Sequence, residues 1–382
     1  MDDDQPSSLL QRSPIFLLPS ELLCEIFSLF ANRGPLQLCH AITVCKHWYH
    51  VIVSYRKLWS TITLDRDFVD RFKLHSGSAL TKKADAYIRA CLNRSAPFPL
   101  DVTLDNLFEN IDGWDLSRGP CRSILDRLFK FGEPRHIQRC RSLSWSIGST
   151  LYGNGRTVIG LLPRSLERLE YLFLKNLNFE NDPLPHFPQC PRSKEVHLVN
   201  HLEGTSPYYF LDRDYDNVEK LTYTSDTGWI DYDIPYIQRF HKIHTLVLED
   251  ASPLSTLAYS LLEEVENTSI ARLHSLETLK LIGLIPLYIM QRLHTPILKN
   301  LNITNGKTAL HSLHLIPVAL LQSVVSISVR YKSPSTTHVI RHLQRVVCNA
   351  PSLAYLTGTL EMGELLAEKE WFRERNIVYK CI

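Results

Sequence analysis

Leu276-Glu-Thr-Leu-Lys-Leu281 is one of a set of six-residue phrases whose recurrence decides the architecture of this chain. The form is apolar-x-x-apolar-x-apolar. It returns as Leu169-Glu-Tyr-Leu-Phe-Leu174, Val218-Glu-Lys-Leu-Thr-Tyr223, Ile243-His-Thr-Leu-Val-Leu248, Leu298-Lys-Asn-Leu-Asn-Ile303 and Val324-Val-Ser-Ile-Ser-Val329, with weaker copies over Cys140–Trp145, Ser193–Leu198 and Leu353–Gly358. The middle apolar residues stand at 143, 172, 196, 221, 246, 279, 301, 327 and 356, separated by 29, 24, 25, 25, 33, 22, 26 and 29 residues. Within each phrase the last apolar residues alternate with polar ones, the period-two pattern of a half-buried strand. The intervals hold helical stripes, as over Leu254–Val265, Ile285–Leu293 and Val339–Val347. One short strand and one helix cannot bury their apolar faces alone, so such units stack on their neighbours into a solenoid with a shared core.

A period of about 20–29 residues resembles that of leucine-rich repeats. The asparagine that this family carries after each strand is mostly replaced, by Ala251, Leu284 and Gly306, so irregular curvature is expected. The other architecture compatible with the pattern is a two-layer α/β fold with a mixed sheet. A last helix is expected over Glu361–Phe372, then a terminal edge strand or cap, Ile377-Val-Tyr-Lys-Cys-Ile382.

In the repeat phrase, the third, fifth and seventh residues point away from the core, because successive strand residues face opposite sides. The fifth column reads Ser144, Phe173, His197, Thr222, Val247, Lys280, Asn302, Ser328 and Thr357. Tracking phosphates needs a basic stripe, and a single Lys does not make one, so the face suits a protein or peptide ligand. Its aromatic and charged members cluster early in the array, at Tyr171, Phe173 and Lys175, then Glu195 and His197. These five are the expected target-binding residues, since outward aromatics are not explained by the core.

Working toward the N-terminus, Pro99–Leu104 alternates like a strand and Arg122–Phe131 has a helical stripe. Another stripe (Leu80, Ala84, Tyr87, Ile88, Cys91, Leu92) follows Ser76-Gly77-Ser78, the likeliest hinge by composition. Between Pro14 and Leu64 stands Pro-Ile-Phe-Leu-Leu-Pro-Ser-Glu-Leu-Leu-Cys-Glu-Ile-Phe, then Val44-Cys-Lys-His-Trp48 and Leu58-Trp59. Leu22, Leu23, Ile26, Phe27 and Phe30 give a broad apolar helical face. Ser20 is placed to cap that helix, Gly34-Pro35 to end it, and Leu38, Ala41, Cys45 and Trp48 form a second periodic run. A unit of about 50 residues is hard to stabilise alone, so its apolar surplus points to a partner.

The ordered set Leu18, Pro19, Glu21, Leu22, Leu23, Glu25, Ile26, Phe27, Val44, Cys45, Lys46, Trp48, Leu58 and Trp59 resembles an F-box. The resemblance implies a three-helix module that docks a Skp1-type adaptor and, through it, a cullin. It assigns adaptor contact to Leu18, Pro19, Leu22, Leu23, Ile26, Phe27, Val44, Cys45, Trp48, Leu58 and Trp59. The expected fold is α/β: a disordered tail (1–13), the F-box-like module (14–64), a helical linker (65–98) and an irregular leucine-rich-repeat solenoid (99–382).

The remaining chemistry is sparse. Net charge is +2, giving no footprint for nucleic acid or a membrane surface. No apolar run reaches the roughly 18 residues of a spanning helix, and the acidic, polar start is unlike a signal peptide. Nine cysteines without CxxC pairs fit reduced thiols in the cytoplasm or nucleus. Phosphate-loop, dinucleotide, HExxH and GxSxG motifs are missing. His241 with His244 and His197 with His201 have metal-like spacings, but His197 and His244 fall in expected strands. The cluster Cys39, His40, Cys45, His47 and His50 includes Cys45 on an apolar stripe, where a cysteine behaves as a small hydrophobe. No cofactor, metal or catalytic residue is expected, and the unnamed target is a protein.

Overall fold

The computed structural model describes residues 18–31, 35–74, 80–105, 120–129, 136–146, 162–175, 189–200, 215–225, 237–250, 270–283, 287–305, 316–331, 344–358 and 371–381. Its strands in chain order are β1 (Thr61–Leu64), β2 (Leu100–Asp105), β3 (Cys140–Ser146), β4 (Tyr171–Lys175), β5 (Glu195–Asn200), β6 (Lys220–Ser225) and β7 (Thr245–Asp250). They continue with β8 (Ala271–Arg272), β9 (Thr278–Gly283), β10 (Leu293–His294), β11 (Asn300–Asn305), β12 (Ser326–Tyr331), β13 (Tyr355–Gly358) and β14 (Val378–Cys381). All but β8 and β10 join one 12-stranded sheet whose spatial order follows the chain. Every adjacent pair in it is parallel, so the sheet is not mixed. The architecture is a parallel β-solenoid preceded by a helical module.

Register follows the apolar anchors. Leu143, Leu172, Val196, Leu221, Leu246, Leu279, Leu301, Ile327 and Leu356 pair successively across the sheet. The row also extends further, to Ile62 and Val102 at one end and Tyr379 at the other. A second inward row carries Leu104, Trp145, Leu174, Leu198, Tyr223, Leu248, Leu281, Ile303 and Val329, all at most 5% exposed. Hydrogen bonds begin one residue before the strands. Lys194 N–H donates to Glu170 O at 2.8 Å, Glu219 to Lys194 at 2.8 Å, and Val325 to Lys299 at 2.8 Å. Backbone groups at the strand starts are thereby satisfied, as buried polar groups require.

The sheet and its core run across the residues read as module and linker. β1 directly follows the 3-10 turn Arg56–Trp59 and pairs β2. α3 (Arg66–Arg71) and α4 (Leu80–Arg94) bury Phe68, Val69, Ala84, Ile88, Cys91 and Leu92 in the same apolar cluster as Leu23 and Ile377. Asp65 caps α3 by accepting from Phe68 N–H at 2.9 Å. α5 (Pro120–Phe129) buries Ile124, Leu125, Leu128 and Phe129, and Arg127 forms an ion pair with Asp85 of α4. The described residues of 65–98, expected from the sequence as a helical linker, share their apolar core with the sheet. The composition-based hinge at 76–78 and the expected helix over 254–265 lie outside the described residues; of those expected over 339–347 and 361–372, the described parts, 344–347 and 371–372, are helical. The stripe over 285–293 forms a 3-10 turn, Leu287–Arg292.

Two arginines clasp the seam between module and solenoid, and a third braces its solenoid side. Arg94 stacks over the Trp59 ring at 4.3 Å, and Arg56 donates to Ala96 O at 3.0 Å. Arg139, only 9% exposed, donates to Phe98 O at 2.8 Å, Leu92 O at 2.9 Å and Ser95 Oγ at 3.3 Å. Burial lowers the Arg139 pKa, with Arg168 adding to the effect. The carbonyls around it fix the charge in place.

Candidate protein-interaction sites

The N-terminal module is built on α1 (Ser20–Phe30) and α2 (Lys46–Ser54), bridged by 3-10 turns at Pro35–Cys39 and Ala41–Thr43. Two details differ from the sequence reading. Ser20 does not cap α1: Pro19 holds the cap position, where its carbonyl accepts from Leu23 N–H at 3.1 Å. The second periodic run is not one helix. Cys45, in extended backbone, ends the 3-10 stretch and caps α2, its Sγ accepting from Trp48 N–H at 3.4 Å.

α1 is apolar on two sides, and the sides do different things. Leu23 and Phe27 are buried, and Phe27 meets Trp48 edge-to-face with centroids 5.1 Å apart. Leu58 and Trp59 are also buried, and the Trp59 indole N–H donates to Ile52 O at 2.9 Å. These four hold the module together and present almost no surface to a partner. Leu18, Ile26, Cys45 and Trp48 are half-buried, while Pro19 is exposed. The Trp48 indole nitrogen is buried without a hydrogen-bond partner among the described residues.

The opposite stripe is open. Leu22 is 45% exposed, Leu29 72% and Phe30 62%; Val44 and Tyr49 stand exposed on the α2 side. Of the residues assigned by resemblance, Leu22, Ile26 and Val44 fall on or beside this surface. Leu29, Phe30 and Tyr49 share this surface and are not among the residues assigned by resemblance. The available signal was that the apolar residues of α1 (Leu22, Leu23, Ile26, Phe27, Leu29 and Phe30) span a wider arc than one core-facing stripe requires.

On the sheet, the outward positions of β4–β7 form a second, organised surface. Tyr171 lies opposite Glu195 and Phe173 opposite His197 in adjacent strands, while Lys175 sits across from Val199. All five sequence-derived residues are thus brought together. Tyr171 is 44% exposed, and the Phe173 ring meets His197 edge-to-face at 4.8 Å. His197 Nε2 lies 3.2 Å from Thr224 Oγ1, and that hydroxyl donates to Glu249 Oε2 at 3.1 Å. Glu195 is ion-paired with Lys220. A chain of side chains, Phe173–His197–Thr224–Glu249, therefore crosses four strands beside the Glu195–Lys220 pair, and Lys220, Thr224 and Glu249 were invisible without the register. Burial is the main influence on His197 and lowers its pKa, against smaller raising effects from Glu249 and Glu195.

A helical module with an open apolar stripe is thus joined to a stacked sheet whose outward side chains are linked across neighbouring strands. Residues 15–65 match the F-box-like family model. That family is a non-catalytic interaction module, and at the superfamily level it implies binding to Skp1-type adaptors. No curated protein matches the chain. Among the described residues no group of three or more His, Cys, Asp or Glu could hold a metal ion. No described helix is long and apolar enough to cross a membrane.

Proposed function

We propose that this chain is a substrate-recognition subunit of an SCF-type cullin–RING ubiquitin ligase. The F-box-like module docks a Skp1-type adaptor, and a target protein rests on the outward face of β4–β7. The solenoid belongs in this reading to the irregular leucine-rich repeats, which its period and its strand phrases support. The observation that carries the proposal is the open stripe of Leu22, Leu29, Phe30 and Val44 on a module whose own core is already complete. An exposed cluster of large apolar side chains marks an interaction site. The subunit adds no chemistry of its own. It raises the effective concentration of target lysines near a charged conjugating enzyme.

Affinity purification of the full chain from cells tests this. Recovery of adaptor together with a cullin supports the ligase reading. Adaptor without cullin would make the chain a scaffold that uses its F-box outside a ligase, and recovery of neither would remove the adaptor reading altogether.

A further inference from the structure

The outward face of the late strands carries charge that neither interaction surface uses. Register sets Lys280 of β9, Asn302, Ser328, Thr357 and Lys380 of β14 in one outward row, and Arg330 stands two residues beyond Ser328 on β12. Lys280, Arg330 and Lys380 are all exposed, and none of them forms an ion pair among the described residues. The earlier strands differ, for there Asp101 holds Arg141 and Glu195 holds Lys220. No outward position described on β9, β11, β12, β13 or β14 carries a carboxylate. On the neighbouring β7, Glu249 stands opposite Ile282 and accepts from Thr224, while Glu277, just before β9, is ion-paired with Lys299. Glu374, before β14, stands in sequence between Arg373 and Arg375.

Spacing selects the ligand. With strands about 4.8 Å apart and a rise of about 3.3 Å per residue, Arg330 lies about 12 Å from each lysine and the lysines about 19 Å from each other. Cations so spread match separate carboxylates along an extended segment rather than one phosphate group. About six residues of extended chain cover that span. Following a nucleic-acid backbone takes a denser basic stripe. An apolar anchor is present as well: Tyr355 and Val378 are register partners beside this row, 52% and 58% exposed. Tyr is enriched at the centres of protein interfaces.

We propose that the outward face of β9–β14 docks an acidic, extended segment of a partner protein. Its carboxylates meet Lys280, Arg330 and Lys380, and one of its apolar side chains rests on Tyr355 and Val378. The site is separate from the proposed adaptor surface and from the β4–β7 patch, and its failure would leave both standing.

Fluorescence anisotropy of the full chain with a labelled Glu-rich peptide of about eight residues carrying a central Phe tests the assignment. The same peptide with Gln for every Glu should bind about tenfold or more weakly, and raising the salt should weaken the acidic peptide. Lys280→Gln, Arg330→Gln and Lys380→Gln together should weaken it about tenfold with an unchanged circular dichroism spectrum, since all three side chains are exposed. Lys82→Gln, Lys83→Gln and Lys242→Gln together remove the same charge from exposed positions elsewhere and should bind as wild type does. The proposal is overturned if the acidic peptide does not bind below about 1 mM, if the Gln peptide binds equally well, or if the two triple variants behave alike. Tighter binding of a single-stranded oligothymidylate of the same formal charge would also overturn it, by making the face one for nucleic acid.

Discussion

Replacing Leu29 and Phe30 together by alanine separates the surface of the module from its core. A phenylalanine side chain carries roughly 150–250 Å², and Phe30 is 62% exposed. At about 25 cal/mol per Å², covering that surface contributes about 2–4 kcal/mol. Leu29, 72% exposed, adds about 1–2 kcal/mol by the same reasoning. Alanine keeps a little of this area, so the double variant should lose about 3–5 kcal/mol of binding, or two to three and a half decades in Kd. Folding should change little, since both side chains already face water. Leu23→Ala is the counterpart: its side chain is fully buried, and truncation should cost about 2–5 kcal/mol of stability. The assay is calorimetric titration of the full chain with a purified Skp1-type adaptor, alongside thermal unfolding. If the double variant binds within about threefold of wild type at unchanged Tm, the outer stripe of α1 is not the docking surface.

Changing Tyr171 and Phe173 together to serine should leave folding and adaptor binding intact while lowering recovery of target proteins in proximity labelling; an unchanged profile would place the target elsewhere. His197 gives a pH signature. Its folded pKa is depressed, so on acidification the unfolded chain takes up its proton first, near pH ~6.5, and the folded state loses stability as pH falls through that region. The difference in urea midpoint between about pH 7.5 and pH 5.5 should therefore shrink in His197→Gln; an identical difference would mean that the ring titrates as freely folded as unfolded. Arg139→Met should remove about 2–5 kcal/mol of stability, because it strips partners from buried carbonyls as well as a charge. A shift in denaturation free energy below about 1 kcal/mol would show that water replaces the guanidinium.

The middle of the sheet was legible because its apolar anchors are dense and alternate cleanly, so each phrase states its own register. The sheet's beginning was not. Ile62, Val102 and Leu143 stand 40 and 41 residues apart, beyond the period set by the later phrases, and Ile62 adjoins a motif already read as something else. Tyr379 was read as part of an edge strand, and it occupies one, pairing at the end of the row of anchors. In the module, motif order located the unit but could not sort Leu22 from Leu23 or Ile26 from Phe27. Neighbouring helix residues point about 100° apart, and only tertiary packing decides which side meets the core. The role of Cys45 as a helix cap was similarly hidden, because its place on an apolar stripe reads as packing. The strand-face patch was found from outward aromatics alone, whereas the link from His197 through Thr224 to Glu249 depends on which strands become neighbours.

The seam clasped by Arg56 and Arg94, with the shared apolar core beneath it, makes module and solenoid one thermodynamic body. Because β1 is the first rung of the sheet and grows directly out of the module, opening the module exposes an edge of β2 as well. A ligand that binds only the closed module then stabilises every rung that opens with it. At a free concentration 100 times its Kd, such a ligand adds about 2.7 kcal/mol. The supply of whatever occupies α1 thus becomes a stability variable for the far side of the molecule. The outward face of β4–β7 would be most durable when the N-terminal stripe is covered, and most open to proteolysis when it is bare.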